Sequence, residues 1–160
     1  MAEGKLQREL KKRQPFDLPE QEALLNLVRT NDRLQIYFTR LFRGHRLTPA
    51  QYNVLRILRG EGAPLECMEI AGRMVAVVPG ITGLLDRLEK AGLVTRQQSH
   101  EDRRVYLVGI TEKGRDLLAR LDGPVLALHK ELLAHLTPAE VGELNRLLEK
   151  ARGPWEGGGA

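Results

Sequence analysis

Four apolar residues constrain this chain more than anything else in it. Ile81, Leu84, Leu85 and Leu88 stand at i, i+3, i+4 and i+7, the spacing of one helix face. They lie in VAVVPGITGLLDRLEKAGL, residues 75–93. Proline is tolerated in a first turn, so Pro79 and Gly80 are expected to open the helix. Glycine suits the position past a last turn, so Gly92 is expected to close it. The predicted span is 78–91. Its other face carries Thr82, Gly83, Asp86, Arg87 and Lys90. One side is suited to anchoring and the other to presentation, as in a recognition helix on DNA.

The flanking segments give that helix a setting. Residues 64–74 predict a short helix with Leu65, Met68, Ile70, Ala71 and Met74 inward, and 75–78 join it to the amphipathic one, a helix-turn-helix pattern. Upstream, Thr48-Pro49-Ala50-Gln51 is a capping box with proline at the first helical position. Tyr52, Val54, Leu55 and Leu58 follow at helical spacing, and 60–62 stop the helix. Downstream, 93–97 and 104–110 are rich in β-branched and aromatic residues and enclose the polar turn 99–102, which predicts a hairpin. The expected fold is mainly α with a small β-hairpin, a winged helix-turn-helix with its wing at 96–106.

The outer segments read as helices with unspent apolar surface. Residues 20–44 carry Leu24, Leu27, Val28, Leu34, Phe38 and Leu41, widened by Leu25, Tyr37 and Phe42, more than one neighbour can cover. Gly44 is the expected stop. Thr111 should cap a helix through Leu117, Leu118 and Leu121, and Gly123-Pro124 should kink or split it. Thr137-Pro138-Ala139-Glu140 starts a last helix with a second capping box. The expected organisation is an arm at 1–19, dimerisation helices at 20–47 and 112–152, a DNA-binding lobe at 48–111 and a flexible tail at 153–160. The arm has a possible helix at 5–13 and two open readings: a solvated tail, or a strap laid on a second subunit by Phe16 and Leu18. A homodimer would set two recognition helices in successive major grooves, about 34–36 Å apart, and read a palindrome.

Charge is distributed unevenly. The net charge is +4. Residues 1–63 hold twelve Lys/Arg against seven Asp/Glu, whereas 64–111 hold six of each. The lobe expected on double-stranded DNA is therefore neutral overall, and only local arrangement can serve binding. The first residues, MAEGKLQRELKKR, have no apolar run of a secretion signal. A lone cysteine, Cys67, fits a reducing, cytoplasmic setting.

The runs LTPAQYNVLRIL, EIAGRM, GLLDRLEKAGLVTR and EDRRVYLVGITEKG resemble the multiple antibiotic resistance regulator (MarR) family over roughly residues 20–150. The resemblance implies a dimeric winged-helix regulator, most often a repressor, released from DNA by a small, often phenolic, ligand held between dimerisation helices and DNA-binding lobe. It implies that Arg104 is the wing arginine, directed to the minor groove, with Asp102 orienting its guanidinium. Pro79 and Thr82 match the start of the recognition helix, and Arg87 the arginine of the Asp-Arg-Leu motif. Departures are visible too. Val77 and Val78 replace a usual Ser and Arg, while Gly80 and Gly83 stand where polar residues are common. Val78 is then a candidate for thymine methyl groups.

The DNA-contact candidates are thus Val78, Pro79, Thr82, Gly83, Arg87, Asp102, Arg103 and Arg104. For Arg87 the plainer reading is a surface ion pair with Asp86 or Glu89. Tyr37, Phe38, His45, Tyr52 and Arg56 are the candidates for an effector pocket, with Phe42, Arg40 and Trp155 as further possibilities. Their plainer reading is core and surface. Cys67 lacks a resolving partner, and His129 and His135 are six apart, off the i, i+4 spacing of helical ligands, so no metal or cofactor is expected. No nucleophile–base spacing or phosphate loop points to an enzyme. The alternative to a DNA-binding regulator is a winged-helix module that binds protein instead.

Overall fold

The computed structural model describes residues 4–99, 101–102 and 104–153. They divide into two units, one up to Arg115 and one from Asp116. In the first, helix α1 (Lys5–Glu9) and α2 (Pro19–Arg43) precede α3 (Pro49–Glu61), strand β1 (Leu65–Glu66), α4 (Cys67–Gly72), α5 (Ile81–Lys90), β2 (Val94–Gln98) and β3 (Tyr106–Ile110). Helix α6 (Glu112–Leu132) starts in this unit, and α7 (Pro138–Arg152) lies in the second. No helix among the described residues is long and apolar enough to cross a membrane.

Both predicted capping boxes are present. Thr48 accepts from the Gln51 N–H at 3.2 Å while Gln51 Oε1 accepts from the Thr48 N–H at 2.9 Å. Thr137 and Glu140 repeat the exchange at 3.3 and 2.8 Å. The core of the first unit gathers where α3, α4 and α5 meet the sheet. Val54, Leu55, Leu58, Ile70, Leu84, Leu85, Leu88, Val94 and Val108 are buried there. Truncating one such leucine to alanine typically costs about 2–5 kcal/mol.

Several expectations are corrected. The segment expected as a helix from Pro64 begins as β1, which pairs antiparallel with β3 through Leu65–Val108 and Glu66–Leu107. The sheet has three strands in the order β1-β3-β2, not two. Two residues are too few to display a period of two, so β1 leaves no pattern in the sequence. The stop at Gly44 is as expected: α2 ends at Arg43 with Gly44 as its C-cap, in right-handed backbone (φ −58°), and the left-handed residue lies beyond it at Arg46, φ 58°. The Leu47 N–H reaches back to Phe42 O at 3.0 Å, closing the turn. Of the two expectations for Gly123-Pro124, a kink or a split, the split does not occur: α6 runs unbroken to Leu132. A proline in a helix interior costs about 3 kcal/mol. The stripe of Leu117, Leu118, Leu121 and Val125 is buried on both sides of it, at about 1.5–3 kcal/mol per residue.

The arm helix is shorter than expected. α1 spans Lys5–Glu9 rather than 5–13, and Leu6 is buried. Glu9 Oε2 lies 2.5 Å from Arg29 Nε on α2 of the same chain. That hydrogen bond holds the Glu9 carboxyl below its ordinary value. Phe16 is half-buried and Leu18 is exposed.

Candidate nucleic-acid interface

Helix α5 is set by its apolar face. Leu84, Leu85 and Leu88 are buried, and Ile81 is half-buried. Its start differs from the expectation. The helix opens at Ile81, not at 78, and Pro79 and Gly80 form a turn ahead of it. Gly80 is the N-cap at φ 72°, ψ 47°, with no side chain to cap the first turn. Left-handed backbone is strained for L side chains, so glycine takes this place and delays the helix. The end is as expected. Gly92 is left-handed (φ 71°), its N–H meets Glu89 O at 2.8 Å, and the Leu93 N–H meets Leu88 O at 3.0 Å. Lys113 Nζ donates to Ala91 O at 2.7 Å and Thr111 Oγ1 to Gly92 O at 2.8 Å, so the carbonyls of the turn that follows α5 are tied to the start of α6. Thr111 Oγ1 also accepts the Gly114 N–H at 3.1 Å, which starts α6.

Two residues that the sequence did not single out hold α5 in place. Asn53, a buried polar side chain on α3, accepts the Val75 N–H through Oδ1 at 2.9 Å. The connection between α4 and α5 is therefore pinned from the core. Arg96, on β2, reaches across to α5. Its Nη2 lies 2.6 Å from Asp86 Oδ1 and donates to Thr82 O at 3.3 Å, and its Nε lies 3.8 Å from Glu89 Oε2. Asp86 and Arg96 are the first and last residues of the run D-R-L-E-K-A-G-L-V-T-R. The charged ends of that run thus clamp wing to helix.

The pairing leaves Arg87 to the outside. The ion pair considered for it with Asp86 or Glu89 is not made; both acids face Arg96. Arg87 is exposed, and its Nη1 would stand 3.9 Å from a Cβ added at Gly83. Thr82 is exposed on the first turn, Pro79 is exposed, and Val78 and Gly83 are half-buried. Val75 and Val77 are the outliers at 85% and 95% exposed.

The wing is shaped by its own side chains. Ser99 Oγ accepts the Glu101 N–H at 3.2 Å and the Asp102 N–H at 3.5 Å. The Asp102 carboxylate accepts the backbone N–H of Arg104 at 2.9 Å. Among the described residues Asp102 makes no ion pair with the guanidinium it was expected to orient; it acts on the main chain instead. Arg104 is exposed. Arg103, with His100 and Trp155, lies outside the described residues.

The effector candidates come together only in part. Phe42 is buried and stacks on Tyr52 with ring centroids 4.4 Å apart, and on Phe38 at 6.2 Å. Tyr37 and Arg56 are exposed, and His45 is half-buried. A separate cleft of about 350 Å³ lies between α4, α5 and the wing, lined by Cys67, Met68, Thr82, Leu85, Arg96 and Tyr106 among others. None of Tyr37, Phe38, His45, Tyr52 and Arg56 lines it. No group of three metal-ligating side chains occurs among the described residues.

A buried-face helix held between a core amide and a clamped β-wing defines a winged helix-turn-helix of the kind found in transcription regulators. The MarR family model matches residues 47–106. A solved MarR transcription factor from Planctomyces limnophilus is 41% identical, with a TM-score of 0.65 over 84% of this chain and 98% of that one. The homoprotocatechuate degradative operon repressor of Escherichia coli is 28% identical over 124 residues, 78% of this chain and 83% of the repressor. Bordetella bronchiseptica BpsR, solved in work on regulation of its DNA binding by 6-hydroxynicotinic acid, is 25% identical with a TM-score of 0.73, over 81% of this chain and 98% of that one. The chain belongs to the MarR family and is a MarR-type transcription regulator.

Proposed function

We infer that the chain works as a homodimeric repressor. It binds a palindromic operator through α5 and the wing, and a small aromatic or phenolic acid releases it. The observation that carries this reading is the outward row on α5 and the wing: Thr82, Arg87 and Arg104 are exposed while Asp86 and Glu89 are occupied by Arg96. The acidic residues of the lobe's leading helix are thereby drawn away from Arg87, and a neutral lobe keeps locally uncompensated cations for phosphates. A relative that is an operon repressor and another whose DNA binding responds to 6-hydroxynicotinic acid support the direction of control. Helices α2, α6 and α7 are the proposed dimerisation elements, and Tyr37, Phe38, His45, Tyr52 and Arg56 the proposed effector residues. Pro79, Gly83, Asp102 and Arg103 complete the proposed DNA face with Val78.

Arg104→Ala is expected to weaken operator binding by about 1–3 kcal/mol. A gel-shift titration at fixed salt reads it, and unchanged affinity would remove the wing from the interface. A module that binds protein alone would show no affinity for random duplex at low salt, where phosphate contacts are strongest.

A further inference from the structure

The turn leading into α5 is apolar and uncovered. Val75 is 85% exposed and Val77 is 95% exposed. Neither contributes to the core, so packing does not account for a valine at either place. The start of the turn is tied to the core, because the Val75 N–H donates to the buried Asn53 side chain. The turn runs directly into the N-terminal end of α5, the end of a recognition helix that meets base edges first. That end offers few polar groups. Gly80 and Gly83 have no side chains, Ile81 is half-buried, and Thr82 is the exposed hydroxyl of the first turn. Gly83 has no reason internal to the fold. A Cβ there would meet only the flexible tip of Arg87, at 3.9 Å, yet glycine in the first turn of a helix loses more backbone entropy than alanine would. A bare backbone is useful where another surface must come close.

We propose that Val75 and Val77 read thymine: their side chains dock on C5-methyl groups in the major groove, and Gly83 lets α5 approach closely enough for them to do so. Thymine's methyl is the apolar feature on the major-groove edges, and it is read by apolar side chains. A turn of uncharged hydrocarbon beside Arg87 suits that edge, with the cation placed for a phosphate. This rests on the DNA-binding reading above and adds the base that is recognised.

The experiment starts with selection of bound sequences from random duplex by the intact protein. Each thymine of the selected half-site is then replaced by deoxyuridine, which removes the methyl and leaves the base pair and O4 unchanged. At one or two thymines the change is expected to weaken binding about fourfold per methyl, the ratio that goes with burying one methylene-sized group. At the thymine that Val77 docks on, Val77→Ser should bind the thymine and deoxyuridine duplexes equally, the non-additivity of a direct contact. Gly83→Ala should raise thermal stability and weaken operator binding, whereas a purely structural glycine would leave binding unmoved. Equal wild-type affinity for every deoxyuridine duplex overturns the proposal and leaves DNA binding standing. A wild-type protein that binds no duplex at low salt overturns both. A Val77→Ser protein with unchanged operator affinity but altered mass by light scattering assigns the turn to protein contact and also overturns it.

Discussion

Asn53 supports the candidate interface from inside the core. It is a buried polar residue of the core, and its amide oxygen is the partner of the Val75 N–H. Asn53→Ala leaves that N–H short of an acceptor and opens a gap. The expected loss is about 1–3 kcal/mol of stability, the range for an unsatisfied part-buried donor. Urea unfolding measures it. An equal midpoint for Asn53→Ala and wild type would show that the bond adds nothing. In the sequence Asn53 is one polar residue within an amphipathic helix, and nothing local marks the partner 22 residues away. Arg96 was hidden in the same way. Its place at the end of a family-like run was visible, but its reach to Asp86 exists only once β2 lies beside α5. Thr82 and Arg87 were legible because the period of 3.6 puts them opposite the leucines.

Elements were legible where local chemistry decides them. Capping boxes and the left-handed Gly92 depend on residues within a few positions of one another, and the hairpin on strands joined by one short turn. Val94–Gln98 and Tyr106–Ile110 pair in the register Val94–Ile110 to Gln98–Tyr106, within two residues of the expected strands. Elements decided by distant partners were missed: β1 exists because β3 offers it an edge, and α6 passes Pro124 because its stripe is buried on either side. Gly114 illustrates the same dependence. A Cβ there would come within 2.5 Å of Leu93 O and 2.8 Å of Ile110 Cγ1, so the close start of α6 on the hairpin needs glycine. The capping box of α3 gives the element-level test. Thr48→Ala removes the acceptor for the Gln51 N–H and is expected to cost about 1 kcal/mol, the typical value for an N-cap. Thermal unfolding reads the loss, and Thr48→Ser should restore most of it. A Thr48→Ala protein as stable as wild type would mean that Pro49 and packing alone start α3.

At the scale of the molecule the apolar surface is the unsettled quantity. On α2, Leu24 is 55% exposed and Val28 67%, one turn apart on the same face. α7 has fifteen residues and none of them is buried. Isolated helices of that length are marginal in water, since most helical stability in proteins comes from packing an amphipathic face. Leu144 and Leu147 on α7 and Leu126 on α6 present such faces uncovered in the single chain. A second copy is the economical cover, because a two-fold axis buries each patch against its own counterpart. Burying a valine contributes about 1.5–3 kcal/mol, and symmetry counts the contact twice. Val28→Glu is therefore expected to weaken association by at least about a hundredfold if Val28 lies in the interface. Light scattering at micromolar concentration should give twice the chain mass for wild type and a smaller mass for the variant. The wild-type melting temperature should rise with protein concentration, as it does when association stabilises the fold, and that dependence should fade in Val28→Glu. A wild-type mass of one chain, with a melting temperature indifferent to concentration, would refute the dimer and with it the paired presentation of α5 to a palindrome.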